Sequence, residues 1–367
     1  MINLIIGLGV VLLLGILFLI FRLSSLVTLA RDASKEKDVE EEVTEGNRIN
    51  AILMIVFMVG SLGLFFWYSF THFDSYNPPV ASEHGAWTDT LFWITIAVTV
   101  VAFVIISIVM FVFTYKYQYR KDRKAKFYPD NHYLELAWTI IPAVVLAILI
   151  FTGLRAWNQI TSPASEQAEV IEIIGQQFAW TARYPGVSDG KLGKYDFRKI
   201  DAVNEFGLDL TDKNSFDDFK ALELHLPKGK EVLLMIRAKD VLHSVYLPHF
   251  RVKMDAVPGM PTQFKFTPTI TTEEMRKKLR DPDFNFELAC AEICGRGHFS
   301  MRFPVVVEEV EDYEKWKAAQ QSWLKQNPDY LKQVPVELRE TAIIKAGIPP
   351  ETVMELPAAA TTTMGSH

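Results

Sequence analysis

Cysteine is almost missing from this sequence: two residues, Cys290 and Cys294, in a chain of 367. A C-x-x-C-H run is absent, which excludes a covalently attached c-type haem carried by this chain, and no early lipobox-like cysteine offers an acyl anchor. Excess positive charge is missing too. With 38 basic and 44 acidic residues the net charge is −6, which argues against a nucleic-acid partner. An acidic surface suits a basic protein partner, although solubility alone also accounts for it. The start Met1-Ile2-Asn3-Leu4 has neither the basic n-region nor the small-residue cleavage site of a signal peptide, so the first apolar run reads as a retained helix.

Long apolar runs are present, at roughly 2–21, 51–70, 91–113 and 136–154. Each is close to the ~20 residues that a helix needs to cross a ~30 Å hydrocarbon layer, so about four spans are expected. The loop between the third and fourth runs holds Lys116, Arg120, Lys121, Arg123, Lys124 and Lys126 against Asp122 and Asp130, with Glu135 at its edge. The positive-inside rule makes that loop cytoplasmic and puts everything after about Trp157 outside. Segment 72–88 then lies outside and 31–49 inside. Trp67, Tyr68, Trp87, Trp93 and Trp157 fall near the outer boundaries, as interfacial aromatics do. Pro142 interrupts the fourth run, and Glu135 at its inner start is either a snorkelling carboxylate or a proton-uptake group.

From about 168 to 310 the pattern changes to short alternating stretches, such as Val170-Ile171-Glu172-Ile173 and Leu222-Glu223-Leu224-His225-Leu226. Pro185-Gly186, Pro227-Lys228-Gly229 and Pro258-Gly259 punctuate them, so an all-β sandwich or barrel is expected. Residues 187–220 read as a polar outward insertion, 311–333 as a short charged helix, and the Ala/Thr tail after 357 as disordered.

The run Cys290-Ala-Glu292-Ile-Cys294-Gly-Arg-Gly-His298-Phe-Ser-Met301 supplies two thiols, an imidazole and a thioether within twelve residues. Soft sulfur with imidazole and a weak Met ligand suits copper in electron transfer. A second imidazole has to come from elsewhere, and His243, which follows the strand Val232–Ile236, is preferred over His249. His225 reads as an ordinary strand side chain. A Cys290–Cys294 disulfide is chemically open outside the cytoplasm. A structural zinc site has no call for Met301, and a one-copper site leaves a cysteine unexplained. The donor count favours two copper ions.

At these residues the chain resembles subunit II of the haem–copper cytochrome c oxidases, whose C-x-E-x-C-x3-H-x2-M signature it fits at every ligand position. Asp240–Ser244, Val252–Gly259 and Leu134–Pro142 also resemble family sequence, over roughly 85–310 in all. The resemblance implies a cupredoxin-like Greek-key β-barrel outside the membrane, held by a two-helix hairpin. It implies a binuclear CuA centre in which Cys290 and Cys294 bridge both coppers, His243 and His298 bind one each, and Met301 and the Glu292 carbonyl are weak outer ligands. The Glu292 side chain would face a magnesium or manganese ion shared with subunit I, and Glu135 would stand at the mouth of a proton channel. Where the family places an electron-input Trp, Gly175-Gln176-Gln177-Phe178 leaves Phe178 in that position, with Trp180 as the alternative. Lys239 replaces an acid that often helps to dock cytochrome c.

The expected organisation is two extra N-terminal helices (1–84), the hairpin (85–160), the CuA domain (161–310) and a C-terminal helix and tail (311–367). The implied function is that of the electron-accepting subunit of a proton-pumping oxidase in a bacterial inner membrane, with the copper domain in the periplasm. Its partners would be subunit I, which carries the haem, the other oxidase subunits, a cytochrome c or c-type cytochrome domain, and a neighbouring respiratory complex. The alternative is a membrane-anchored copper electron-transfer or copper-delivery protein acting outside an oxidase.

Overall fold

The computed structural model describes residues 15–16, 18–23, 25–26, 36–120 and 123–349. The chain divides into two units, Met1–Phe73 with Ile96–Thr139, and Asp74–Thr95 with Ile140–His367.

Three helices are long and apolar enough to cross a membrane: Gly46–Thr71, Glu83–Lys116 and His132–Thr161. The first is the apolar part of α1 (Glu36–Thr71), and the others are α2 (Glu83–Lys116) and α3 (His132–Thr161). A helix satisfies its backbone polar groups internally, which lets these sequences leave water. Their apolar side chains point outward, Ile106 being 66% and Phe151 72% exposed, as a lipid-facing surface requires. Between α1 and α2, Phe57 meets Phe111 and Phe65 meets Phe103, with ring centroids 6.1 and 6.2 Å apart. Pro142 is accommodated inside α3. The fourth expected span, 2–21, lies largely outside the described residues.

The second unit is built on ten strands: β1 (Glu169–Gln176), β2 (Ala179–Tyr184), β3 (Phe219–Ala221), β4 (Leu224–Pro227), β5 (Val232–Ala238), β6 (His243–Leu247), β7 (Val252–Ala256), β8 (Thr262–Phe266), β9 (Phe286–Cys290) and β10 (Arg302–Glu308). They form two five-stranded sheets, ordered β3-β2-β1-β5-β8 and β4-β10-β9-β6-β7. The pairs β1–β5 and β4–β10 are parallel, and the others are antiparallel. Alternation decides which faces meet: Val232, Leu234 and Ile236 of β5 are fully buried, and Val245, Leu247, Leu288 and Val305 join them from the other sheet. Each such side chain contributes about 1.5–3 kcal/mol on burial.

The segment before α2 is clamped to this sandwich. Ala81 N–H donates to the His249 carbonyl at 2.7 Å, the Ser82 hydroxyl to the Phe250 carbonyl at 2.6 Å, and Arg251 forks onto Asp89 at 2.6 and 2.9 Å.

Residues 187–220 are not an outward loop. Phe206, Leu208, Leu210 and Phe216 form a second core with Trp323, Leu324, Leu331, Val334, Ala342, Ala346 and Ile348. The C-terminal partners come from α4 (Trp323–Gln326), α5 (Arg339–Ala346) and the turns around them. Below this core lies a buried ion cluster in which Glu172 pairs with Arg183 at 2.5 Å and Arg237 at 2.6 Å, and Arg183 pairs with Asp218 at 2.7 Å. Residues 350–367, which include the tail, lie outside the described residues.

Candidate metal centre

Strand register assembles the site. Antiparallel pairing of β6 with β9 sets Val245 opposite Cys290, and Ala291 N–H donates to the Ser244 carbonyl at 3.0 Å. His243, which opens β6, therefore stands beside Cys290, which ends β9. The loop that follows is closed at its base, where Cys290 N–H donates to the Met301 carbonyl at 3.2 Å before β10 begins. His298 opens a single 3-10 turn inside the loop.

The donors converge at the end of this sheet. His243 Nδ1 lies 3.9 Å from Cys290 Sγ, and the two sulfurs are 3.9 Å apart. His298 Nδ1 is 3.7 Å and Met301 Sδ 3.9 Å from Cys294 Sγ. The Glu292 carbonyl is 3.2 Å from Cys290 Sγ. Both cysteines are free and buried, and their separation is far from the ~2.05 Å of a disulfide. Met301 is 1% exposed and His243 fully buried. Ligand donor atoms of His243, Cys290 and Cys294 lie within 4.8 Å of one another, and among the described residues no other His/Cys/Asp/Glu group of three or more does so. His298 falls outside that cluster.

Burial, and next the neighbouring Cys290, push the Cys294 thiol up to about 11. Two buried thiols, each raising the cost of ionising the other, are a poor arrangement for a metal-free protein and a good one for a soft cation, whose charge reverses that balance. The donor set fits copper.

A second layer fixes the donors. His243 Nε2 meets the Asp240 carboxylate at 2.9 Å, which sets the ring so that Nδ1 faces the sulfurs. Partial burial pushes Asp240 upward, but N–H donors from Gln177, His243 and Val241 outweigh it and hold the carboxyl below its ordinary value. Gln177 ties the two halves of the site together. Its backbone N–H donates to Asp240 at 2.7 Å and its side-chain amide to the Cys294 carbonyl at 2.7 Å. Gly175 permits close approach, because a Cβ there would come within 3.0 Å of the His243 ring and 2.8 Å of Trp180.

The two candidate aromatics differ. Phe178 is 39% exposed and lies over the ligand loop, so that a Cβ at Gly295 would come within 3.0 Å of its ring and one at Gly297 closer still. Trp180 is buried, its ring 5.7 Å from that of His243, and its indole N–H has no partner among the described residues.

The remaining sequence candidates are elsewhere. His249 packs edge-on against Phe284 and Phe286, and burial, followed by Arg251, lowers it to about 4. His225 stacks on Trp316 at 3.9 Å, and its Nδ1 meets the Glu308 carboxylate at 2.9 Å. Glu135 belongs to the other unit, exposed in the first turn of α3. Sequence reasoning assigned no role to Asp240 or Gln177, and the signal available was the spacing Asp240-x-x-His243, which places a carboxylate within reach of the far ring nitrogen.

The pattern for "Cytochrome C oxidase subunit II, periplasmic domain" matches residues 169–310, and that for its transmembrane domain matches 66–156. The chain is 35% identical over 280 residues to alternative cytochrome c oxidase subunit 2 of Bradyrhizobium diazoefficiens, covering 74% of this chain and 92% of that protein. It is 28% identical over 316 residues to cytochrome c oxidase subunit 2 of Thermostichus vulcanus, covering 79% and 90%. Among solved structures, the periplasmic domain of subunit II of cytochrome oxidase of Bradyrhizobium japonicum aligns at 22% identity and a TM-score of 0.28, covering 42% of this chain and 93% of that one. The two family patterns and the 35% identity to the Bradyrhizobium diazoefficiens protein, in keeping with the three apolar helices and the donor set, make the chain a member of the cytochrome c oxidase subunit II family.

Proposed function

We propose that this chain is the electron-accepting subunit of a proton-pumping cytochrome c oxidase in a bacterial inner membrane, with its β-domain on the periplasmic side. Electrons from a c-type cytochrome would arrive at a binuclear copper centre and leave for haem in subunit I. The observation that carries the reading is the row of donors His243, Cys290, Cys294 and His298, spaced at 3.9, 3.9 and 3.7 Å, with Met301 and the Glu292 carbonyl beside it. Six donors exceed the four of a tetrahedral zinc site, and His298 stands outside the cluster that one small ion would need.

Copper bound there would supply one-electron chemistry without bond-making. The chain's own residues do the rest. Cys290, Cys294, His243 and His298 would hold the copper, with Met301 and the Glu292 carbonyl beside them. The strands that carry these residues hold their geometry, so little rearrangement accompanies a change of charge. Asp240 orients His243, and burial keeps water away. Phe178, exposed above the ligand loop, is the electron-input aromatic in this reading. Trp180 packs behind His243.

The Glu292 side chain would serve a magnesium or manganese ion at the boundary with subunit I. Glu135 would stand at the mouth of a proton channel, although a carboxylate in the first turn of a helix is also favoured by the helix dipole. The test is reduction of the copper centre by ferrocytochrome c in the assembled oxidase, followed by stopped flow. Cys290→Ser and Cys294→Ser should each abolish the fast reduction while the subunit still assembles. Unchanged kinetics in either variant would remove the reading.

A further inference from the structure

The aromatic that caps the ligand loop is flanked by two exposed cations that have no ion-pair partner among the described residues. On one side Lys239 is exposed and its ammonium reaches the side-chain oxygen of Gln176 at 3.3 Å, two residues before Phe178. On the other, Arg296 is exposed between Gly295 and Gly297, the two glycines that press on the Phe178 ring. Among the described residues neither cation has a carboxylate within ion-pair range. Of the carboxylates beside these cations, Asp240 is engaged by His243 and by the N–H groups of Gln177 and Val241, and Glu205, in the wall of the cavity beside Lys239, is paired with Lys220. Lys239 also lines a cavity of about 300 Å³ whose other walls include Tyr195, Phe197, Ile200 and Met260. Arg237 lines it too, with its charge met by Glu172 and its guanidinium 3.6 Å from the centre of the Tyr195 ring.

We infer that this face receives a redox protein whose electron-donating edge is rimmed by carboxylates, and that the cavity beside Lys239 seats an apolar side chain of that partner. The inference rests on the proposed function and names the partner class of the same site. Complementary charge acts mainly on encounter and orientation, so two unpaired cations around the input point select against a basic rim. The chain's overall charge of −6 suggests the opposite partner. Screening decides between them: at physiological salt the Debye length is about 8 Å, so charges at the contact outweigh charge elsewhere on the chain. Phe178, Phe197 and Met260, at 39%, 68% and 57% exposure, supply the apolar part of the surface.

The test uses the assembled oxidase after its copper content and optical spectrum have been confirmed, so that failure of the centre itself is seen first. Reduction of the copper centre is timed with two small soluble c-type cytochromes, one with an acidic and one with a basic haem-edge rim, between about 50 and 300 mM salt. The expected result is faster reduction by the acidic-rim donor, slowing as salt rises. Lys239→Glu should cut the acidic-to-basic rate ratio by roughly tenfold with copper content unchanged. Arg296→Gln should move the ratio the same way wherever it retains copper, and Lys239→Glu alone decides the matter if it does not. Faster reduction of the wild type by the basic-rim donor, or a ratio indifferent to Lys239→Glu, overturns the inference.

Discussion

His243 turns one ring nitrogen to Cys290 and the other to the Asp240 carboxylate, 3.9 and 2.9 Å away, so a single acidic side chain sets the tautomer of a buried ligand. Removing such a partner typically lowers metal affinity 10–100-fold. Asp240→Ala is therefore expected to weaken copper binding by about that factor, measured by competition with a copper chelator, and Asp240→Glu to recover part of the loss. Unchanged affinity in Asp240→Ala would mean that the bond does not orient the ring.

Gly297→Ala forces a methyl group into the Phe178 ring. The ring or the ligand loop has to move, at an overpacking cost of about 1–3 kcal/mol. A lower thermal midpoint is expected, together with faster copper loss on dialysis against chelator. Gly229→Ala is the control: it has open space for a Cβ, so any cost there comes from its φ of +75° alone and should leave copper retention unaffected.

Stability should also depend on pH through Asp218. Burial raises this carboxyl to about 7, and Asp217 and Glu172 add to the rise against the pull of Arg183 and the Gly193 N–H. Its folded value lies above its unfolded value near 3.8, so the folded protein holds the extra proton between the two, and stability falls as pH rises through that window. Thermal unfolding of the detergent-solubilised chain, compared between the wild type and Asp218→Asn, separates this contribution from that of His249, which is lowered to about 4 and acts in the opposite direction up to its ordinary value of 6.5. Relative to Asp218→Asn, the wild type should lose on the order of 2 kcal/mol between about pH 5 and pH 8, and a difference independent of pH would assign the dependence to other groups.

Arg251→Ala removes the fork onto Asp89 and the donor to the Pro78 carbonyl at 2.7 Å. Hydrogen exchange should rise over residues 78–89 by roughly 10-fold or more, corresponding to a loss of about 1–3 kcal/mol for hydrogen bonds between charged groups. Protection unchanged in that segment would show that Ala81 and Ser82 hold it unaided.

Much of the centre was legible in the sequence because its donors are close in the chain. Cys290 to Met301 is one loop, and the strand before His243 announces itself by alternation. His243, the preferred second imidazole, stands with the two cysteines in the metal-sized cluster, while His249 packs among aromatic rings. Three of the expected spans correspond to helices, since a twenty-residue apolar run has few other fates. The second core was illegible for the opposite reason. Phe206, Leu208, Leu210 and Phe216 are scattered among Asp and Lys, and the residues that bury them, from Trp323 to Ile348, arrive more than a hundred positions later. The contrast between Phe178 and Trp180 was hidden in the same way. Their exposure is decided by Gly295, Gly297 and His243, which come from other strands and loops.

In the proposed function this chain would hold two copper ions that share one electron at Cys290 and Cys294. Metal analysis and electron paramagnetic resonance of the copper-loaded chain test it most directly. Two coppers per chain are expected, with a hyperfine pattern from one electron delocalised over both that is lost in Cys290→Ser. One copper with a localised signal, or zinc in its place, would contradict it.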